Sequence, residues 1–152
     1  MAEKTAIKVD IRRLREGDET LGVAAIRELK EGGMTSSPGH MRRLLAKDEN
    51  YFYVASDRAR PVGFLIAHRF PRVDRDCAMI YLYEIGVHPE YRRKGIGAAL
   101  IGALKEDCRN RDILKIWVGT EADNLAARRL YESTGATFER EDHVEYVYDA
   151  LS

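Results

Sequence analysis

The sequence predicts an α+β (mixed α/β) fold, with one central, mostly antiparallel sheet flanked by helices. Three observations carry this expectation. Apolar residues follow a helical spacing after a short first strand, switch to period two over residues 51–87, and then alternate between helix and strand. The chain has 152 residues, a length at which one compact domain is the default, so a single domain over residues 1–152 is expected. Hydrophobic residues are 45% and charged residues 33%, a balance of folded, charge-rich proteins rather than of disordered ones.

Each element follows in order. Residues 7–14 read as a first strand from the alternation of Ile7, Val9 and Ile11. Residues 18–31 read as a helix, started by Asp18 and Glu19 and stopped by Gly32 and Gly33. Residues 33–40 read as a loop, and a short helix at about 39–47 carries Met41, Leu44 and Leu45 on one face. Residues 51–56, 62–70 and 78–87 read as an antiparallel meander, joined by turns at 57–61 and 71–76. A helix from Gly95 to about residue 110 puts Ile96, Leu100, Leu104 and Cys108 on one stripe. Residues 113–119 read as a strand, 123–134 as a helix and 137–148 as one or two closing strands. The order is β-α-α-β-β-β-α-β-α-β-β.

Composition narrows the function. Lys plus Arg equals Asp plus Glu at 25 each, which argues against a globally basic nucleic-acid binder. No apolar run approaches the roughly 20 residues of a membrane span, and the N-terminus lacks an apolar signal core. Cys77 and Cys108 are too few for a disulfide framework, so a cytoplasmic protein with reduced thiols is expected. His40, His68, His88 and His143 show no metal-ligand spacing, and no metal is expected. His68 shares a strand face with Phe64, Ile66 and Phe70, where it either lines a cleft or is a satisfied core histidine.

The most informative segment is His88-Pro-Glu-Tyr-Arg-Arg-Lys-Gly-Ile-Gly-Ala98. An apolar strand ends, Arg92, Arg93 and Lys94 follow, and Gly95 and Gly97 open a helix. Glycines permit close backbone approach, and the first helical amides have no intrahelical partner. Those donors and the helix dipole favour an anion such as a pyrophosphate. The Lys precedes the Gly, unlike a P-loop, and Leu100 stands where a Rossmann fingerprint needs a third glycine. The alternative is a solvated basic turn.

Arg92-Arg-Lys-Gly95-Ile-Gly97-Ala98 resembles the Arg/Gln-x-x-Gly-x-Gly/Ala loop of the GNAT superfamily of N-acetyltransferases. Asn124-Leu-Ala-Ala-Arg-Arg-Leu-Tyr131, followed by Gly135-Ala-Thr-Phe138, resembles that family's second signature. The resemblance implies the GNAT fold and acetyl-CoA as cosubstrate. The CoA pyrophosphate would rest on the amides of Arg93, Lys94, Gly95, Ile96, Gly97 and Ala98 beside Arg92. The thioester would lie along Ile85, Gly86 and Val87, with backbone N–H groups near Val87 polarising its carbonyl. Asn124, Ala127 and Tyr131 share one helical face, and Asn124 and Tyr131 are roughly 10 Å apart along it. The family role of Tyr131 is general acid toward the leaving thiolate; the alternative is a core tyrosine beside Leu130. Transfer from a phenol near pKa 10 to a thiolate near 8.5 is uphill by roughly 2 kcal/mol.

Glu84 is the second candidate. Strict alternation puts it in an apolar row with Ile80, Leu82 and Gly86, opposite Met79, Tyr81, Tyr83 and Ile85. A carboxylate there needs a partner or a task. The partner would be one of the 18 arginines, and the task a base or an anchor for an ammonium group. Unaided abstraction from an amine near pKa 9 would cost about 6 kcal/mol.

Residues 69–87 further resemble the type I aminoglycoside 3-N-acetyltransferases, whose strand reads Ile-Tyr-Ile-Tyr-Asp-Leu-Ala-Val. Here the acid is Glu84, and Gly86 stands in place of Ala. That family's late acidic strand contacts drug, and Glu145 and Asp149 are the matching residues. The expected function is direct acetyl transfer from acetyl-CoA to an aminoglycoside amine, the 3-amino group by resemblance. Glu84 and Tyr131 are its catalytic pair, and Glu84, Glu145 and Asp149 bind the acceptor. The expected partner is a small polycationic amine, with no nucleic acid and no membrane, and the chain is a candidate homodimer. A peptide N-terminal acetyltransferase and a non-catalytic CoA-binding module are the rival readings.

Overall fold

The computed structural model describes residues 8–33 and 35–149. Ile7, counted in the expected first strand, and Met34, in the expected loop, lie outside the described residues. The chain divides into two compact units, Met1–Gly119 and Thr120–Ser152.

The first unit holds a five-stranded sheet in the order β1 (Asp10–Arg13), β2 (Asn50–Asp57), β3 (Arg60–Pro71), β4 (Ala78–Val87), β5 (Ile113–Trp117). The first four strands are antiparallel, and β5 runs parallel to β4. A parallel neighbour requires a crossover, supplied by α3 (Ile96–Cys108). Helices α1 (Glu19–Leu29) and α2 (Pro38–Leu45) join β1 to β2. The mixed architecture agrees with the expected fold class.

Several boundaries have local causes. The second helix begins at Pro38 because the Ser37 hydroxyl accepts from the His40 amide at 3.1 Å and proline suits the first helical position. The β2–β3 hairpin turns on Arg58 and Ala59, both at positive φ, the geometry of a two-residue type I′ turn. Asp18 precedes α1 as expected, but its carboxylate accepts from the Arg15 amide rather than capping the helix.

The sheet is covered on both faces. Phe52, Val54 and Phe64 form a core with Val23, Ala25, Met41 and Leu45 from α1 and α2. The other face meets α3, where Leu100 and Leu104 are fully buried and the predicted stripe is completed by Ile96 and Cys108. Burial pushes the Cys108 thiol pKa up, so it behaves as an apolar side chain.

Two features seat α3. A Cβ on Gly63 would come within 3.0 Å of Ile96 Cγ2 and 3.3 Å of Leu100 Cδ1, so the missing side chain lets the start of the helix settle on β3. Near its end, Asp107 accepts from the buried Tyr53 hydroxyl and lies 3.9 Å from the Arg13 guanidinium. Burial first, then Asp107, pushes the Tyr53 phenol pKa well above its usual range. Arg13 also donates to the carbonyls of Asp48 and Asn50 and stacks over the Tyr51 ring at 3.9 Å.

The second unit contains α4 (Leu125–Ser133) and the residues that follow it. Gly135, at φ +101°, ends the helix, and the Ala136 amide closes the turn on the Tyr131 carbonyl at 2.9 Å. The closing strands expected over residues 137–148 are not among the five of the sheet. Their apolar residues alternate, but a strand needs a neighbour to pair with, and among the described residues this unit offers only a helix. Local pairing competes as well, since Arg140 donates to Asp142 at 2.9 Å.

Gly63→Val should lower stability by about 1–3 kcal/mol, because branched bulk is forced into the contact with Ile96 and Leu100. Urea unfolding would show a lower midpoint at unchanged slope. An unshifted midpoint would mean that α3 does not depend on this approach.

Candidate functional site

The site grows from the end of β4. His88 donates its amide to the Val62 carbonyl at 2.8 Å, which holds the strand exit against β3. A short 3-10 turn, Pro89–Tyr91, follows. The Tyr91 hydroxyl donates to Asp57 at 2.7 Å and ties the loop to the β2–β3 hairpin. That hydrogen bond raises the Tyr91 phenol pKa. Arg93 at φ +61° and Gly95 at φ +81° then turn the chain sharply into α3.

Gly95 occupies the cap position and has no side chain with which to cap. The first helical bond is donated by Ala99 to the Gly95 carbonyl, so the amides of Ile96, Gly97 and Ala98 have no intrahelical acceptor. Together with the helix dipole they form a seat for an anion. Arg92 does more than supply counter-charge, because its Nε donates to the Val87 carbonyl at 3.1 Å and braces the loop. Lys94 lies 5.6 Å from the centre of the Tyr91 ring.

The other half of the seat is the β4 backbone. β5 pairs with β4 only as far as Tyr81 and Trp117. Beyond that point residues 82–87 have no strand beside them on that edge among the described residues. Ile85, Gly86 and Val87 therefore offer peptide groups to an extended ligand, which they would hold as a neighbouring strand would. Gly86 is required by packing: a Cβ there would fall 2.6 Å from the Phe64 ring.

The structure corrects the expected environment of Glu84. Ile66 pairs with Glu84 but Ala67 pairs with Leu82, so Tyr83 is an extra residue on β4. This bulge reverses the alternation. Leu82 keeps to the α3 face with Ala67, whereas Glu84 pairs with Ile66 on the α1–α2 face. Glu84 is thus outside the row of Ile80 and Leu82. Its partner is no arginine but Lys30, the residue closing α1, whose ammonium lies 3.2 Å from Oε2. Both side chains are about one-third exposed, 37% for Lys30 and 31% for Glu84. On the same face the Tyr83 ring meets His68 at 5.8 Å and Tyr81 at 6.2 Å between centres.

Asn124, Ala127 and Tyr131 belong to the second unit, as do Glu145 and Asp149. The Asn124 side-chain oxygen accepts from the Ala127 amide at 3.1 Å and caps α4, a structural task that leaves its amide N–H groups outside the cap. Tyr131 is half-buried on α4, and its carbonyl anchors the Gly135 turn. The two ends of the second signature are therefore the two ends of one helix.

Sequence reasoning missed Gly63 and Lys30. An isolated glycine inside an apolar strand was a usable signal for Gly63. Lys30 stands 54 positions before Glu84, and nothing local pairs them. No group of three or more His, Cys, Asp or Glu side chains suited to a metal occurs among the described residues. No helix among them is long and apolar enough to cross a membrane.

Residues 14–136 match the acetyltransferase (GNAT) family. An uncharacterized N-acetyltransferase of Methanocaldococcus jannaschii is 32% identical over 117 residues, 70% of this chain and 46% of that protein. The ribosomal protein bS18-alanine N-acetyltransferase of Escherichia coli K12 is 41% identical over 54 residues, 36% of each chain. The matched stretches thus span less than half of either relative. An aminoglycoside acetyltransferase from an uncultured soil metagenomic sample, in complex with trehalose, superposes with a TM-score of 0.82 at 25% identity, covering 95% of this chain and 97% of that one. A second soil metagenomic aminoglycoside acetyltransferase gives 0.78 at 26% identity, covering 93% and 99%. An aminoglycoside N-acetyltransferase in complex with CoA has the same fold, with a TM-score of 0.73 at 18% identity, covering 99% of this chain and 100% of that one. GNAT enzymes use acetyl-CoA, and the donors found here fit it: uncapped helical amides for a pyrophosphate and an unpaired strand edge for an amide-bearing arm. The chain belongs to the acetyltransferase (GNAT) family, a family of acyltransferases.

Proposed function

We propose that this protein transfers the acetyl group of acetyl-CoA directly to an amine of an aminoglycoside, the 3-amino group by resemblance. The observation that carries the acetyl-CoA half is the run of unpaired β4 backbone leading into uncapped α3 amides beneath Arg92, Arg93 and Lys94. The substrate half is supported by the likeness to two aminoglycoside acetyltransferases over nearly the whole chain. It is supported too by the Glu84 carboxylate within that unpaired run. Glu84 would anchor or deprotonate the acceptor, with Glu145 and Asp149 meeting its further ammonium groups. Tyr131 would protonate the leaving thiolate, and backbone N–H groups near Val87 would polarise the thioester carbonyl.

A second reading follows from the likeness to the ribosomal protein-alanine acetyltransferase, whose acceptor is a protein. A peptide terminus brings one ammonium group, whereas an aminoglycoside brings several. Thiol release from acetyl-CoA, measured against a panel of aminoglycosides, polyamines and peptides, separates the two. Turnover of peptides alone would overturn the aminoglycoside reading and leave acetyl-CoA use intact.

Three variants test the parts. Gly97→Glu puts a carboxylate where the pyrophosphate is expected and should abolish acetyl-CoA binding by calorimetry, since its charge repels the phosphates and its bulk fills their place. Unchanged affinity would refute the anion seat. Tyr131→Phe removes one hydroxyl and should lower kcat roughly ten- to a thousand-fold with acetyl-CoA affinity preserved. An unchanged kcat, where chemistry limits the rate, would make Tyr131 a packing residue. Glu84→Gln keeps the volume and should raise the acceptor KM as well as lower kcat; equal constants for the two forms would remove Glu84 from the site.

A further inference from the structure

The carboxylate proposed to hold the acceptor already holds an ammonium group of this chain. Lys30 Nζ lies 3.2 Å from Glu84 Oε2. The two partners are anchored unequally. Glu84 stands on β4 and is paired with Ile66 of β3, so its position is set by the sheet. Lys30 closes α1, where its amide donates to the Ile26 carbonyl at 3.1 Å, so only the backbone end of its side chain is fixed. Its ammonium is a point charge on a flexible four-carbon stem, without the planar fork that grips a carboxylate through two bonds. About one-third of each side chain is exposed, so water reaches both. The carbonyls ending α1 offer the ammonium a second favourable place, because cations are stabilised at a helix C-terminus. Lys30 is therefore the partner that can leave, and Glu84 the one that stays.

We propose that Lys30 is a specificity-determining residue of the acceptor site: its ammonium marks where an ammonium group of the acceptor binds, and the acceptor must displace it from Glu84. This rests on the acceptor role given to Glu84 above. No covalent bond changes in the step; one ion pair is exchanged for another. The acceptor meets only the fraction of molecules in which Glu84 is free of Lys30. An exposed pair of this kind is formed about one and a half to five times as often as it is broken. The apparent acceptor dissociation constant is then raised about two- to six-fold over that of an open site.

The exchange filters acceptors by charge. A molecule with no cationic group to offer Glu84 cannot take the place of Lys30, whereas an ammonium group can. It also sets the response to salt. Exchange leaves the number of ion pairs unchanged, so screening of this contact weakens acceptor binding little in the wild type. Without Lys30 the acceptor makes a new pair, and salt should then matter more.

The test is calorimetric affinity for the amine turned over fastest in the panel above, measured on the full chain with CoA present so that no transfer occurs. Wild type, Lys30→Met, Lys30→Arg and Glu84→Gln are compared at low and high salt, with acetyl-CoA affinity and the urea midpoint as controls for the donor site and the fold. Lys30→Met should bind the amine about two- to six-fold more tightly than wild type, and its affinity should fall more steeply with salt. Lys30→Arg, which grips Glu84 through two bonds, should bind it more weakly than wild type. The acceptor KM should follow the same order. Equal or weaker affinity in Lys30→Met, while Glu84→Gln still weakens binding, would overturn the role of Lys30 alone. Wild-type affinity in Glu84→Gln would overturn the acceptor role of Glu84 and this inference with it. A wild type that transfers acetyl to no amine would overturn the transfer reading and this inference together.

Discussion

The site depends on how closely α3 lies against β3. Gly63 removes one side chain at the point of contact, and Ile96 and Leu100 fill that space. Because β4 and α3 are consecutive, this approach fixes the distance the basic loop must span. The loop manages it with two left-handed residues, Arg93 and Gly95, and with three anchors: His88 to Val62, Tyr91 to Asp57 and Arg92 to Val87. Far down the helix, Asp107 meets Tyr53 and Arg13, so α3 is held at both ends by different physics. The anion seat is consequently built on a rigid support, although nearly all of its own groups are exposed.

The Tyr83 bulge has a comparable reach. One extra residue on β4 leaves Ile80 and Leu82 on the α3 face and turns Glu84 toward α1. A carboxylate in the α3 core would have required a buried counter-charge at high desolvation cost. On the α1–α2 face it needs only a partly exposed lysine, and a pair of that kind contributes little to stability. Glu84 thus costs little to keep on this face.

Family membership narrows the chemistry without choosing the acceptor. The seat for a pyrophosphate and an amide-bearing arm uses backbone groups, which any acceptor class can share. In the function proposed above, acceptor choice would rest on side chains, Glu84 first among them. The likeness to both aminoglycoside and ribosomal-protein acetyltransferases is what a shared backbone seat would produce.

Much of this was legible in the sequence. The bounds of β4 were read to the residue, because its apolar run is long and flanked by turn residues. The loop from Arg92 to Ala98 was legible because glycines and cations before an apolar helical stripe have a local meaning. The helix of the second signature was legible too, although Asn124 caps it rather than lying within it. Other features depend on chain segments far apart. Alternation could not reveal the Tyr83 bulge, since a bulge is defined by the partner strand, and so Glu84 was put on the wrong face. Lys30 was invisible for the same reason. The closing strands were inferred from a pattern of apolar residues, yet a strand exists only through hydrogen bonds to a neighbour. Sequence alone determined which residues could carry charge, lone pairs and close backbone approach. Tertiary structure decided which of them face one another, because pairing register and helix docking are set by contacts that no local pattern encodes.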